Sequence, residues 1–267
     1  MEGKRQGVPE QLYNLIKELM ELPFLEGFHL GGGTNLAIKY DHRLSVDIDL
    51  FSSDVIGIGK IFEIHSELSK LYPESKLVIN NRESEQFSWI TGILQKEGHQ
   101  VKLDVIQNLG LLQKVEIVDG IRLIGDMDIA PLKLESMANR GTRKDLYDLV
   151  LLSDRYGLDG IYQQYLTRKK AFQGTEHRNI FNKEGFEGAN DLVDDLGRLI
   201  NFNNAKDLSM GGNQIILTKN SPEIYRTFVN VARQWETKVR GLAEQTGLKI
   251  TPQKNMPARR KDRGMGL

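Results

Sequence analysis

Cysteine is absent from the 267 residues. Its absence excludes disulfide scaffolds, thiolate zinc sites, iron–sulfur clusters and cysteine nucleophiles together. Long apolar runs are absent too. No window approaches the roughly 18–20 apolar residues that span a bilayer. Residues 1–20, MEGKRQGVPEQLYNLIKELM, lack the apolar core of about 7–15 residues that a secretory signal needs. The expectation is a soluble, cytoplasmic chain with no membrane contact. The five histidines are scattered, form no metal motif and support no Ser-His-Asp arrangement. No internal repeat is visible. Net charge is also lacking, with 36 Lys and Arg against 36 Asp and Glu. Taken whole, that argues against a nucleic-acid binder built on bulk positive charge. The total conceals two regions, however. Residues 1–172 hold 21 basic and 25 acidic residues, and residues 173–267 hold 15 and 11. Residues 249–267 alone hold six basic residues and one acidic.

The length suits one large or two small domains at roughly 150 residues per domain. Leu12, Ile16, Leu19 and Met20 recur at helical spacing between Val8 and Leu22, and Pro23 closes that run. Phe28–Leu30 is short and apolar and leads into Gly31-Gly32-Gly33. Thr34–Tyr40 reads as helix. Val46–Phe51, VDIDLF, alternates strictly and reads as a strand with Val46, Ile48 and Leu50 facing a core. Ile58–Leu71 puts Ile61, Ile64, His65, Leu68 and Leu71 on one helical face. Strands are expected at Lys76–Ile79, Gln86–Gln95 and Gln100–Ile106, with a turn at Gly98-His99. Asp119-Gly120 marks a hairpin between Val115–Val118 and Ile121–Leu123. From Asp126 onward the pattern is helical. Phe172–Gly188 is the best linker candidate. Beyond it, Leu192–Ile200 reads as one helix. A second starts at Ser221-Pro222 with a stripe of Ile224, Phe228, Val231, Trp235, Val239 and Leu242. The fold class expected is α+β with a helical C-terminal region.

The chemistry concentrates in LGGGTNLAIKYDHRLSVDIDLFS, residues 30–52. Asp47 and Asp49 lie two apart on a strand, so both carboxylates leave the same face. Like charges so placed repel unless cations sit between them. Mg²⁺ suits that arrangement, being hard and usually held by one or two carboxylates plus substrate phosphates. Two such ions about 3.5–4 Å apart serve an attacking and a leaving oxygen. The glycines add a helix start with free backbone N–H groups, an anion site that admits a close phosphate. The Thr34 hydroxyl can add a donor. Ser45 is either a further contact on the Asp47 face or a plain surface serine. His42 lies in the connection close to these residues. Together these are the parts for phosphoryl or nucleotidyl transfer.

In this order and spacing, GGTNLAIKYDHRLSVDIDLF resembles the nucleotidyltransferases of the DNA polymerase β-like superfamily. More narrowly, it resembles the AbiEii/AbiGii toxins of abortive-infection and toxin–antitoxin systems. The resemblance covers roughly residues 10–170. It implies a polymerase β-like domain of small mixed sheet and helices over residues 1–172. A helical region, 173–248, and a basic, flexible tail, 249–267, would follow. It further implies a third carboxylate on a neighbouring strand, matched by Asp104 in VKLDVI. Asp47, Asp49 and Asp104 would then hold two Mg²⁺ ions, and Asp104 could accept the acceptor proton. Gly32, Gly33 and Thr34 would cradle the phosphates of a nucleoside triphosphate.

A later Lys and Asp pattern of the family matches LKLESMANRGTRKDLYDL. Lys133 borders an apolar helical face of Ala130, Leu134, Met137 and Gly141, so it either snorkels outward or points at a buried phosphate. The expectation is contact with the triphosphate. Arg140, two turns on, would hold nucleotide or acceptor backbone. Asp145 has two readings, a catalytic carboxylate (a role Asp148 could also fill) or the N3 residue of a capping box begun by Thr142. The resemblance implies an RNA acceptor, foremost a tRNA 3′ end, and a cognate antitoxin as partner. A protein or small-molecule acceptor, or a non-catalytic binding module, are the other readings. The basic tail favours nucleic acid.

Overall fold

The computed structural model of the chain describes residues 6–82, 84–181 and 192–251. Two hydrophobic patterns of different period organise it. Period-two runs form a mixed seven-stranded sheet, and period-3.6 runs form helices over its faces. The chain begins with helix α1, Glu10–Glu21, whose Leu12, Leu15, Ile16, Leu19 and Met20 are buried. Strand β1, His29–Leu30, runs into helix α2, Gly32–Tyr40, and then strand β2, Ile48–Phe51. Helix α3 spans Gly57–Leu71. Strands β3, Lys76–Arg82, β4, Ser84–Lys96, and β5, His99–Ile106, form an antiparallel meander. Strands β6, Glu116–Val118, and β7, Ile121–Leu123, form a hairpin. Its turn residues Asp119 and Gly120 both have positive φ, 52° and 82°, the geometry that matches strand twist. Helices α4, Asp126–Asn139, α5, Arg143–Tyr156, and α6, Leu158–Ala171, follow, and α7 is Phe228–Thr246.

Sheet order is β3-β4-β5-β2-β1-β7-β6. Strand β2 pairs parallel with β5 and antiparallel with β1. Alternation then sorts the two sheet faces. Ile48, Leu50, Leu103, Val105, Ile90 and Leu94 point to one side and pack with Ile16 and Leu19 of α1 and Ile61, Ile64 and Leu68 of α3. The opposite side carries Asp47, Asp49 and Phe51 on β2 and its approach, and Lys102, Asp104 and Ile106 on β5. Phe51, Trp89 and Ile106 belong to a second cluster, built mainly on α4 to α7. That cluster extends from Leu36 to Ala243, so residues on either side of position 172 share one core.

Several details differ from the expectation. Val46 is 43% exposed, because the regular strand starts only at Ile48. Leu71, on the last turn of α3, is 51% exposed, and His65 is half-buried with Nε2 3.0 Å from the Leu77 carbonyl. Gly141 lies beyond α4 rather than on its face, at φ 57°. The helix expected over Leu192–Ile200 is only a 3-10 turn, Gly197–Ile200, although Leu192, Leu196 and Leu199 are buried. Ser221-Pro222 precede a second 3-10 turn, Glu223–Arg226, and the helix proper is capped by Thr227. The described part of the linker candidate is tied down. Gln86 donates to the Thr175 carbonyl, and Asn108 Nδ2 donates to the carbonyls of Glu176 and Arg178. Lys249, expected in a free tail, pairs with Asp194 and Leu196 through backbone bonds. Residues 182–188 of that linker and the tail from position 252 lie outside the described residues.

Helix α7 is the seam of the C-terminal region. Val231, Trp235, Val239 and Leu242 are buried, each contributing about 1.5–3 kcal/mol, and Trp235 Nε1 donates to the Leu199 carbonyl at 2.7 Å. Tyr147 and Tyr225 exchange hydroxyl-to-carbonyl bonds at 3.1 and 2.8 Å. Tyr225→Phe should cost about 1 kcal/mol, the net worth of one buried hydrogen bond, since the Tyr147 carbonyl keeps its helical partner. A urea titration measures the change. A midpoint equal to wild type would mean that water replaces the hydroxyl. Among the described residues, no helix is long and apolar enough to cross a membrane.

Candidate active site

Register assembles the site. Asp49 lies opposite Asp104 on parallel β5, and Asp104 lies opposite Thr91 on antiparallel β4. The next row on the same face is Phe51, Ile106 and Trp89. A cleft of about 520 Å³ opens over these rows and is walled on its far side by α4. Asp47, Asp49 and Asp104 all line it, as do Gly32, Gly33, Ser45, Lys133 and Arg140. The volume lies in the ordinary range for small-molecule sites, about 300–1,000 Å³.

The glycines are demanded by close approach. Gly32 has φ 63°, and a Cβ there would overlap Asp49 Oδ2. A Cβ at Gly33 would overlap Arg43 Nη2, and one at Gly31 would overlap the Phe51 ring. The Gly31 amide donates to the Asp49 carbonyl, and the Asn35 amide closes the first helical bond onto Gly31. The amides between them are the first-turn donors that no intrahelical carbonyl reaches. Gly32→Ala should lose roughly 1 kcal/mol of stability to the left-handed backbone alone. It should also push the Asp49 carboxylate aside and raise the KM for whatever substrate the cleft binds about tenfold. Steady-state kinetics on the folded variant tests this, and an unchanged KM would remove Gly32 from the site.

Thr34 departs from expectation. Its hydroxyl is buried and donates to the Asp47 carbonyl and towards Ser45 Oγ, 3.0 Å away. Thr34 does not line the cleft, and its hydroxyl braces the carboxylate strand from the inner side of the turn. Ser45 is buried on the Asp47 face and is not a surface serine.

Burial, and then the neighbouring Asp104 charge, hold the Asp49 carboxyl above the usual carboxylate range. Thr91 and Lys102 both donate to Asp104. Burial alone would lower the Lys102 ammonium pKa, but its bond to Asp104 holds it raised. Among the described residues no three acidic or histidine side chains are gathered into a ready metal cage. The donor set still fits a hard divalent cation: acceptor-only oxygens from two strands on one face, with Asp49 raised in pKa by burial and by the neighbouring Asp104 charge.

Behind the cleft wall lies a charge network that spacing did not reveal. Asp148 is fully buried. It accepts from Arg43 Nε and Nη2, both at 2.7 Å, and from His42 Nε2 at 2.8 Å, and it pairs with Lys133 Nζ at 2.7 Å. Burial would raise its pKa, but Arg43 and Lys133 hold it well below the usual range. Asp145 pairs with Lys133 at 3.5 Å and with Arg140 through two bonds of 2.7 Å. Burial opposes its charge, and Lys133 and Arg140 outweigh that, so its pKa is lowered. The Asp145 backbone N–H donates to Thr142 Oγ1, and the threonine hydroxyl donates back to the carboxylate. This is a capping variant in which the acid meets the hydroxyl instead of the threonine N–H. Arg140 and Asp145 thus spend their charges on each other, and Asp145 does not line the cleft. Lys144, between them in sequence, does line it. Burial lowers its pKa.

A distant strap holds the Arg43 loop. The Leu44 amide donates to the Ile216 carbonyl at 2.8 Å, Thr218 to the Asp41 carbonyl, and Ser221 to the His42 carbonyl. Asn213 accepts from the Arg143 amide at the start of α5. Nothing in local sequence marks these contacts, because each joins segments more than sixty residues apart.

A glycine turn at a helix start, an Asp-x-Asp on the following strand and a third carboxylate in register on the next form the arrangement that the resemblance to polymerase β-like nucleotidyltransferases implied. Residues 14–119 match the family described as nucleotidyl transferase AbiEii toxin, type IV toxin–antitoxin system. An uncharacterized protein of Aquifex aeolicus (strain VF5) is 29% identical over 170 residues, covering 62% of this chain and 73% of that protein. Among solved structures, the nucleotidyltransferase toxin MenT4 of Mycobacterium tuberculosis H37Rv is similar with a TM-score of 0.44 at 14% identity, over 88% of this chain and 84% of its own. The Megavirus polyadenylate synthase gives a TM-score of 0.39 at 16% identity, over 56% of this chain, which spans 33% of that larger protein.

Proposed function

We propose that the chain transfers a nucleoside monophosphate from a nucleoside triphosphate to an RNA hydroxyl, foremost a tRNA 3′ end. It would act as the toxin of a toxin–antitoxin pair in the cytoplasm, with a cognate antitoxin as partner. The observation that carries this reading is the convergence of Asp47, Asp49, Asp104, Gly32, Gly33 and Lys133 on one cleft. Asp47, Asp49 and Asp104 would hold Mg²⁺, which when bound neutralises phosphate charge and activates oxygen. The first-turn amides at Gly32 and Gly33 receive phosphate oxygens. Lys133 presents its ammonium to them from α4 while Asp148 and Asp145 fix its place. The acceptor oxygen forms a bond to the α-phosphorus, the α–β phosphoanhydride bond breaks, and pyrophosphate leaves. The hydroxyl proton passes to Asp104. The basic residues Lys254, Arg259, Arg260, Lys261 and Arg263 supply attraction for the RNA backbone.

The test is direct. Labelled triphosphates, Mg²⁺ and total RNA are incubated with wild type and with Asp47→Ala. Wild type should label RNA and the variant should not. Equal labelling of RNA by both would sink the RNA-transferase reading, and labelled protein in place of RNA would move the acceptor to a protein hydroxyl.

A further inference from the structure

The cleft has two chemically distinct ends, and the glycines give their order. Gly33 lies against Arg43 and Ser45, Gly32 against Asp49, and Gly31 against Phe51 and Ile124. Gly33 and Arg43 therefore mark one end, where Lys144 also interacts with Arg43 and Asp47, and the row of Asp49 and Asp104 lies between it and an apolar end. At the apolar end, Phe51, Ile106 and Trp89 form one cross-strand row, about two residues or roughly 6.6 Å along the strands from the acidic row. Ile129 and Leu132 of α4 close it from above. Phe181 faces it, its ring centroid 6.2 Å from that of Phe51 and tilted by 49°. Phe181 is itself 53% exposed, and the preceding Asn179 is anchored by its side-chain bond to the Asn108 carbonyl.

We propose that this row is the seat of the triphosphate's nucleobase, so the nucleotide lies with its phosphate tail towards Gly33 and Lys144 and its ring between Phe51, Trp89 and Phe181. The inference rests on the transferase reading and goes beyond it in fixing the orientation of the substrate. A triphosphate whose α-phosphorus lies at the acidic row has its ribose and base on one side and its outer phosphates on the other. Positive charge lines one side here and aromatic carbon the other, so only one orientation satisfies both halves. The ring is held by stacking, which every base can supply. The site should therefore accept all four bases with modest preference.

The chain has two tryptophans, and Trp235 is fully buried in the C-terminal core. In a Trp235→Phe background, Trp89 alone reports on the ring row. ATP, GTP, CTP and UTP, each with Mg²⁺, should quench its emission. Inorganic tripolyphosphate should compete with them yet leave the emission unchanged. By calorimetry on the otherwise wild-type chain, Phe181→Ala, a change at an exposed side chain, should weaken nucleotide binding about tenfold. It should leave tripolyphosphate binding unchanged. Equal weakening of both ligands, or of neither, overturns the proposal. So does quenching by an RNA oligonucleotide but not by any triphosphate, which would give the row to the acceptor. Failure of nucleotide and tripolyphosphate alike to bind would instead bring down the transferase reading beneath it.

Discussion

Asp148→Asn should destabilise the protein by about 3–5 kcal/mol, the cost of leaving buried charges without their partner. The substitution keeps the shape and removes only the charge. It leaves the Arg43 guanidinium, itself fully buried, and the Lys133 ammonium facing a neutral amide. Urea denaturation measures the loss, and a change under 1 kcal/mol would show that Asp148 is not the hub described above. Replacing Arg43 and Asp148 together by Met and Leu should recover part of the loss in stability, because a buried pair is often matched by well-packed apolar groups. The same variant should lose activity, since Arg43 lines the cleft.

The pH dependence follows from the same residues. Asp148 and Asp145 are depressed in the fold, so their contribution is complete above the unfolded carboxylate pKa of about 3.9. It is lost as pH falls below that value towards their folded pKa. His42 is also depressed, chiefly by burial, and enters the fold neutral. Its contribution begins to fade once pH drops below about 6.5, where the unfolded imidazole takes up a proton. A stability profile should therefore decline in two stages on acidification. His42→Gln should remove the upper stage.

Asp49→Asn should abolish transfer and stabilise the divalent-free protein. The activity loss should be at least about a hundredfold, the scale for removing one preorganised electrostatic contact. The stability gain has the opposite origin. The folded pKa of Asp49 is raised, so its ionised form is disfavoured in the fold at every pH above the unfolded value of about 3.9, and the penalty is relieved only as pH falls. Asparagine removes the charge and with it the repulsion from Asp104. Melting curves at neutral pH in a chelator should place the variant above wild type. Adding Mg²⁺ should raise the wild-type midpoint and leave the variant's unmoved. A variant that melts lower in the chelator would mean that the Asp49 carboxylate is a structural acceptor whose charge the fold needs.

The functional strand was legible because period-two alternation needs no tertiary information. Asp47 and Asp49 share a face whatever they pair with, and Gly32 and Gly33 announce a helix start, although the Asp49 and Arg43 side chains that crowd them show only in the fold. Asp104 was legible only by resemblance, since its place opposite Asp49 depends on a parallel register between strands separated by more than fifty residues. Asp145 was ambiguous for a physical reason: a carboxylate at N3 can cap a helix, pair with Lys133 and Arg140, or face a ligand, and one-dimensional spacing is the same in each case. Arg140 lines the cleft and also pairs with Asp145, a partner that its position at a helix end does not reveal. The Thr34 hydroxyl turns inward to Ser45 and the Asp47 carbonyl, a placement that spacing does not reveal.

Composition and spacing by themselves determined the α+β class, the absence of thiol chemistry, the Asp-x-Asp face and the glycine turn. These follow from bond geometry and from residue types that have few other uses. The tertiary structure alone decided that Asp148 joins His42, Arg43 and Lys133, that residues 213–221 brace the Arg43 loop, and that an aromatic row adjoins the acidic one. Each of these depends on sheet register or on contacts between distant segments. Such contacts are selected by the free energy of the whole packed core, and no local pattern of residues encodes them.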